Sequence, residues 1–209
     1  MGIAATAVAD WTAAREAWTR CGITMPAGDG PPDTDFGLVP IRLDPYGAGE
    51  VVWARRIDPA RAVIENVPLP GTRFRWRDVL LHDGAPEGYR MLDGREVPVF
   101  NALERIHGSG FDTYIMELGS SDAASTERLT EIAAELGGYA EDWGTRTNIL
   151  CRECSLGRPH DHRENGSPAH PHCGVAATDS SHATQIVEAW LSSTERADLV
   201  RWYSASDSV

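Results

Sequence analysis

Between Cys151 and Cys173 the chain reads CRECSLGRPHDHRENGSPAHPHC, which places three of its four cysteines and four of its seven histidines in one short stretch. Soft and borderline ligands at this density predict a metal. The Cys-x-x-Cys pair (Cys151, Cys154) facing a His-x-x-Cys pair (His170, Cys173) supplies the four tetrahedral ligands that Zn2+ takes. Inside the segment only Leu156 is a sizeable apolar side chain, so a metal has to provide the order that burial cannot. His160, His162 and His172 compete with His170, and the symmetric spacing favours His170. His172 adjoins Cys173, and neighbours on an extended chain point to opposite faces. A filled Cys3His shell predicts a structural zinc, because catalysis needs an open coordination position; ligation by His160 and His162 would instead make a second or exchangeable site. A redox role for the Cys-x-x-Cys pair needs a helix N-terminus, whereas this pair follows a predicted strand and enters a Gly/Pro loop.

The rest of the chain divides by hydrophobic period. Asp10 to Gly22 predicts a capped amphipathic helix carrying Trp11, Ala14, Trp18 and Cys21 along one stripe, followed by the turn-rich linker PAGDGPPDTD. From Leu38 to Phe100 short apolar runs alternate with turn signals (VPIRL, EVVWARRI, AVIENVPL, FRWRDVLL, YRML, EVPVF), which predicts a small SH3-like antiparallel β-barrel. NALERIHGSG reads as a helical or irregular connection. Thereafter the order is strand (Asp112 to Leu118), helix capped by Asp122, strand (YAEDWGTRTNIL), the Cys/His segment, strand (GVAAT), helix capped near Asp179, strand (LVRWYSA). That βαββαβ order predicts a ferredoxin-like sandwich with the zinc-binding segment at a hairpin tip. The expected class is α+β, divided into an N-terminal helix and linker (1–37), a barrel (38–108) and a ferredoxin-like domain (109–209) containing the zinc loop (151–173).

All 19 basic residues are arginine. Without lysine, Schiff-base chemistry on pyridoxal phosphate, a P-loop and a kinase-type phosphate lysine are excluded. A formal net charge of −12 disfavours nucleic acid and suits a basic protein partner. No run of about 18 apolar residues predicts a membrane span, and the N-terminus lacks the basic start of a leader, so a cytoplasmic location is expected.

Arg73-Phe74-Arg75-Trp76-Arg77, drawn as a strand, sets Arg73, Arg75 and Arg77 on one face as a candidate anion-binding surface. The same alternation describes any half-buried strand with its aromatics inward.

VVWARRI, VIENVPLPG, RWRDVLL and SGFDTYIMEL, followed by an αβ unit with GGYAEDWGT, resemble an uncharacterised bacterial family that joins a small β-barrel to a ferredoxin-like half, over about Val51 to Tyr203. The chain departs from that pattern at Arg77, where glycine is expected before Asp-Val, and in carrying the Cys/His insertion. GGYAEDWGT also resembles the regulator of ribonuclease E activity B, an acidic protein-binding inhibitor. Neither resemblance brings catalytic residues with it. The function expected is partner binding, as by a regulator or immunity-like inhibitor, with zinc structural. The competing expectation is a small-molecule enzyme of a biosynthetic pathway with its site in a groove between barrel and sandwich.

Overall fold

The structure, a computed structural model, describes residues 1–46, 49–120, 122–144, 172–194 and 198–208. It is mixed α+β, with four α-helices, a closed barrel, a four-stranded sheet and a two-stranded hairpin among the described residues. Two compact units are formed. One holds Met1–Glu65 and Arg77–Gly108, and the other holds Asn66–Trp76 and the described residues from Ser109 onward.

In the first unit, α1 (Gly2–Ala7) precedes α2 (Trp11–Arg20). Asp10 caps α2 as expected, its carboxylate accepting from the Ala13 amide at 3.0 Å. The buried stripe is Ala14 and Ala17, while Cys21 is exposed. Trp18 lies on Gly2 instead: a Cβ there would sit 2.7 Å from the indole, so only glycine lets α1 approach.

The barrel runs β1 (Leu38–Arg42), β2 (Val51–Arg56), β3 (Arg61–Ile64), β4 (Val79–His82) and β7 (Phe100–His107), with β5 (Tyr89–Leu92) and β6 (Arg95–Pro98) as a separate hairpin. Cross-strand partners share a face, so the register Ile41↔Val52, Ala54↔Ile64 and Ala62↔Leu80 assembles one inward row, all of it buried. Two expectations are corrected. The connection NALERIHGSG is mostly strand, because β7 is needed between β1 and β4 to close the cylinder. The closing pair is parallel, Ile41↔Phe100 and Arg42↔Asn101, so the barrel is not wholly antiparallel.

The second unit runs β8 (Asp112–Ser120), α3 (Ala123–Glu135), β9 (Tyr139–Asp142), β10 (His172–Ala177), α4 (Ser180–Ser193) and β11 (Asp198–Ser204), with the sheet in the order β11-β8-β10-β9. Every neighbouring pair is antiparallel. Asp122 and Asp179 cap the helices through the amides of Ser125 and His182 at 2.7 and 2.9 Å. The expected stripes are buried at Leu129, Ile132 and Ala133 of α3 and at Ile186, Val187 and Trp190 of α4, whereas Leu136 and Leu191 are exposed. Trp190 is the largest fully buried side chain, and its indole N–H reaches the Ser125 carbonyl at 2.9 Å.

Candidate functional site

β9 and β10 pair antiparallel, with Asp142 opposite Cys173, and the Trp143 amide donates to the His172 carbonyl at 3.0 Å. The chain therefore leaves and re-enters the sheet at adjacent positions on either side of 145–171. Cys151, Cys154 and His170, with the alternates His160 and His162, lie outside the described residues. Cys173 and His172 are described, and their side chains diverge. Cys173 is buried with Met116, Val175 and the helix residues, while the His172 Nε2 faces the other way, 3.7 Å from a Glu117 carboxylate oxygen.

Burial, followed by the nearby Asp142 charge, pushes the Cys173 thiol up to about 12. A divalent cation beside these groups would reverse both influences, since coordination deprotonates a thiol. Cys173 is packed in the apolar core and would become a thiolate only with a cation beside it. Among the described residues no three His, Cys, Asp or Glu side chains converge into a metal cluster.

The opposite sheet face carries a network that sequence reading did not identify. Glu117 of β8 accepts from Arg201 Nε at 2.8 Å, Arg201 Nη2 at 2.6 Å and the Tyr203 hydroxyl at 2.9 Å. This two-pronged guanidinium contact, with the tyrosine, holds the carboxyl down at about 2. Burial and the accepting carboxylate push the Tyr203 hydroxyl up. The signal was a lone glutamate in the apolar strand DTYIMEL, answered by arginine and tyrosine two apart in LVRWYSA.

Beside it, Asn66–Trp76 docks on the same sheet. Glu141 accepts from the Asn66 side-chain amide at 2.8 Å and the Val67 backbone amide at 2.9 Å, and Trp143 Nε1 donates to the Val67 carbonyl at 3.0 Å. Trp76 stacks on Tyr139 at 5.4 Å and meets Phe111 edge-on at 4.7 Å. Trp143 lies across Gly174, where a Cβ would fall 2.2 Å from the ring. Asn66 and Val67 are therefore held against β9 and its end by Glu141 and Trp143.

Arg73 to Arg77 is not a strand. Arg77 takes a left-handed φ of +67°, and Phe74 is buried. Arg75 Nη1 folds back onto the Thr72 and Phe74 carbonyls at 2.7 and 2.9 Å, Arg73 lies over the Phe74 ring at 5.2 Å, and Arg77 reaches Glu65 at 3.1 Å. The alternation is spent on burying aromatics in an irregular segment, and the three guanidiniums do not share a strand face.

No family model matches the chain, and no curated protein is similar to it. Among solved structures it is similar to a hypothetical protein from Neisseria gonorrhoeae, at 13% identity and a TM-score of 0.38, over 82% of this chain and 94% of that one. That likeness carries no statement about activity. Among the described residues no helix is long and apolar enough to cross a membrane.

Proposed function

We propose that the chain is a cytoplasmic binding protein, an SH3-like barrel joined to a ferredoxin-like half, that captures a basic protein partner as a regulator or immunity-like inhibitor does. The strand order β11-β8-β10-β9 corresponds to 4-1-3-2 within the βαββαβ unit and supports the ferredoxin-like reading. The boundaries 1–37, 38–108 and 109–209 go with it. Zinc held by Cys151, Cys154, His170 and Cys173 is structural in this reading, fixing a segment whose ends are already joined at Trp143 and His172.

The observation that carries binding over turnover is where two strongly shifted groups stand near neutral pH. His82 is held neutral, at about 4, by burial, and Glu117 is ionised and engaged by Arg201. General acid-base catalysis favours a group poised near the working pH, and these two are displaced from it. A net charge of −12 speeds capture of a cationic target. Affinity purification from the native host, with zinc retained, tests the proposal: a stoichiometric basic protein whose association weakens with salt is expected. No such protein, together with metabolite turnover by the purified chain, would overturn it.

A further inference from the structure

Beyond the barrel, the pairing of β4 with β7 runs on into the β5–β6 hairpin. The Asp83 amide donates to the Asn101 carbonyl at 3.0 Å, the Glu87 amide to the Val99 carbonyl at 2.8 Å, and the Val99 amide to the Gly88 carbonyl at 2.9 Å. The strands turn at Asp93-Gly94, whose φ values of +48° and +76° are those of a tight two-residue hairpin loop. The result is a two-stranded ribbon with no third strand hydrogen-bonded to it among the described residues.

Opposite residues share a face, so the register sorts the side chains. Tyr89↔Pro98 and Met91↔Glu96 lie on one face, and Arg90↔Val97 and Leu92↔Arg95 on the other. The second face is partly covered, with Arg90, Leu92 and Val97 half-buried. The first is open: Tyr89 is 59% and Met91 61% exposed, and Glu96 is exposed beside them. A ribbon covered on one side ordinarily turns its polar residues to water, and here an aromatic ring and a thioether face it instead.

Charge is sorted in the same way. Both arginines of the hairpin belong to the partly covered face, while the open face carries the Glu96 carboxylate and no base. An open ring, a polarisable sulfur and a carboxylate together complement an arginine or lysine side chain. The ring face attracts the cation, the thioether packs on the aliphatic stem, and the carboxylate pairs with the head. A second copy of the chain fits this face poorly, because turning it on itself about a two-fold axis brings two carboxylates and no base into the contact.

We propose that the open face of the β5–β6 hairpin, formed by Tyr89, Met91 and Glu96, is the surface on which the basic protein partner docks, with an arginine or lysine of that partner seated over Tyr89 and paired to Glu96. The assignment rests on the partner-binding reading above and is independent of the zinc segment.

The probe that tests it is a peptide of alternating arginine and leucine, with an alternating glutamate and leucine peptide as its counterpart, added to the full chain labelled at its methionine methyl groups. The chain holds four methionines, and two of them serve as controls. Met1, 98% exposed, reports indiscriminate coating, and the buried Met116 reports the integrity of the fold. The Met91 methyl resonance should shift saturably with the arginine peptide while Met1 and Met116 stay in place, and the glutamate peptide should move none of them. Tyr89→Ser should weaken the binding about two- to thirtyfold, the range of a cation–π contact. Glu96→Arg should abolish it, whereas Glu131→Arg, an equal charge reversal on α3, should leave it unchanged. Equal shifts of Met1 and Met91, or none at Met91, would overturn the proposal. So would a Met91 shift that follows the chain's own concentration without peptide, which would make a second copy the occupant. Affinity purification separates this surface from the reading beneath it. A basic protein captured as well by Tyr89→Ser and Glu96→Arg as by the wild-type chain would keep partner binding and remove this face from it, and no captured protein would overturn both.

Discussion

Trp143 donates its indole N–H to the carbonyl of Val67, 76 residues earlier, at 3.0 Å, with its ring laid across Gly174. One side chain thus fastens the Asn66–Trp76 segment to the sheet and requires the absence of a Cβ beneath it. Trp143→Phe keeps most of the ring and loses the donor, so it should cost about 1 kcal/mol. Gly174→Ala forces the indole to move and should cost about 1–3 kcal/mol. Urea unfolding of both variants measures the difference, and the alanine variant should be the less stable.

Glu117 makes stability depend on acid. Its carboxyl stands at about 2 in the fold against an ordinary 4.5, so its contribution is complete above 4.5 and lost as pH falls toward 2. Thermal midpoints measured through that window should fall more steeply for the wild-type chain than for Glu117→Gln.

His82 acts in a higher window. Burial lowers it from 6.5 to about 4, so between these values the unfolded chain takes up a proton that the folded chain refuses. Stability present above 6.5 should therefore decline by up to about 1.4 kcal/mol per pH unit on acidification toward 4. His82→Gln should flatten this part of the stability profile, as read by denaturant unfolding at stepped pH.

For the proposed metal site, elemental analysis should find one zinc per chain. Cys151→Ser or Cys173→Ser should lose it while far-ultraviolet circular dichroism keeps its helical signal, because α3 and α4 are capped by Asp122 and Asp179, outside the segment, and Cys173 is one member of the large core on which they pack. In the metal-free chain the exposed Cys21 should react with a thiol reagent at once and the buried Cys173 only on unfolding. Unchanged zinc content in either variant would contradict the ligand assignment.

Trp190→Ala removes the largest fully buried side chain and its bond to Ser125, and should cost about 3–5 kcal/mol. Leu191→Ala, at an exposed position of the same helix, should stay within about 0.5 kcal/mol.

What the sequence by itself determined were the features that local chemistry encodes. Asp10, Asp122 and Asp179 mark helix starts because a carboxylate satisfies amides within its own first turn. Leu129, Ile132, Ile186 and Trp190 mark buried faces because their spacing matches the helical repeat. The metal reading likewise rests on spacing. Tertiary structure alone decided the rest. NALERIHGSG has no clean alternation, and its first residues become part of β7 only because β1 and β4 stand on either side. RFRWR alternates like a strand yet turns away to bury Phe74 and half-bury Trp76. Glu117 and Arg201 are 84 residues apart, and Arg56 and His82 meet only around the Phe100 ring. Such pairs follow from strand register, which is fixed by the whole packed sheet and leaves no periodic trace in either segment.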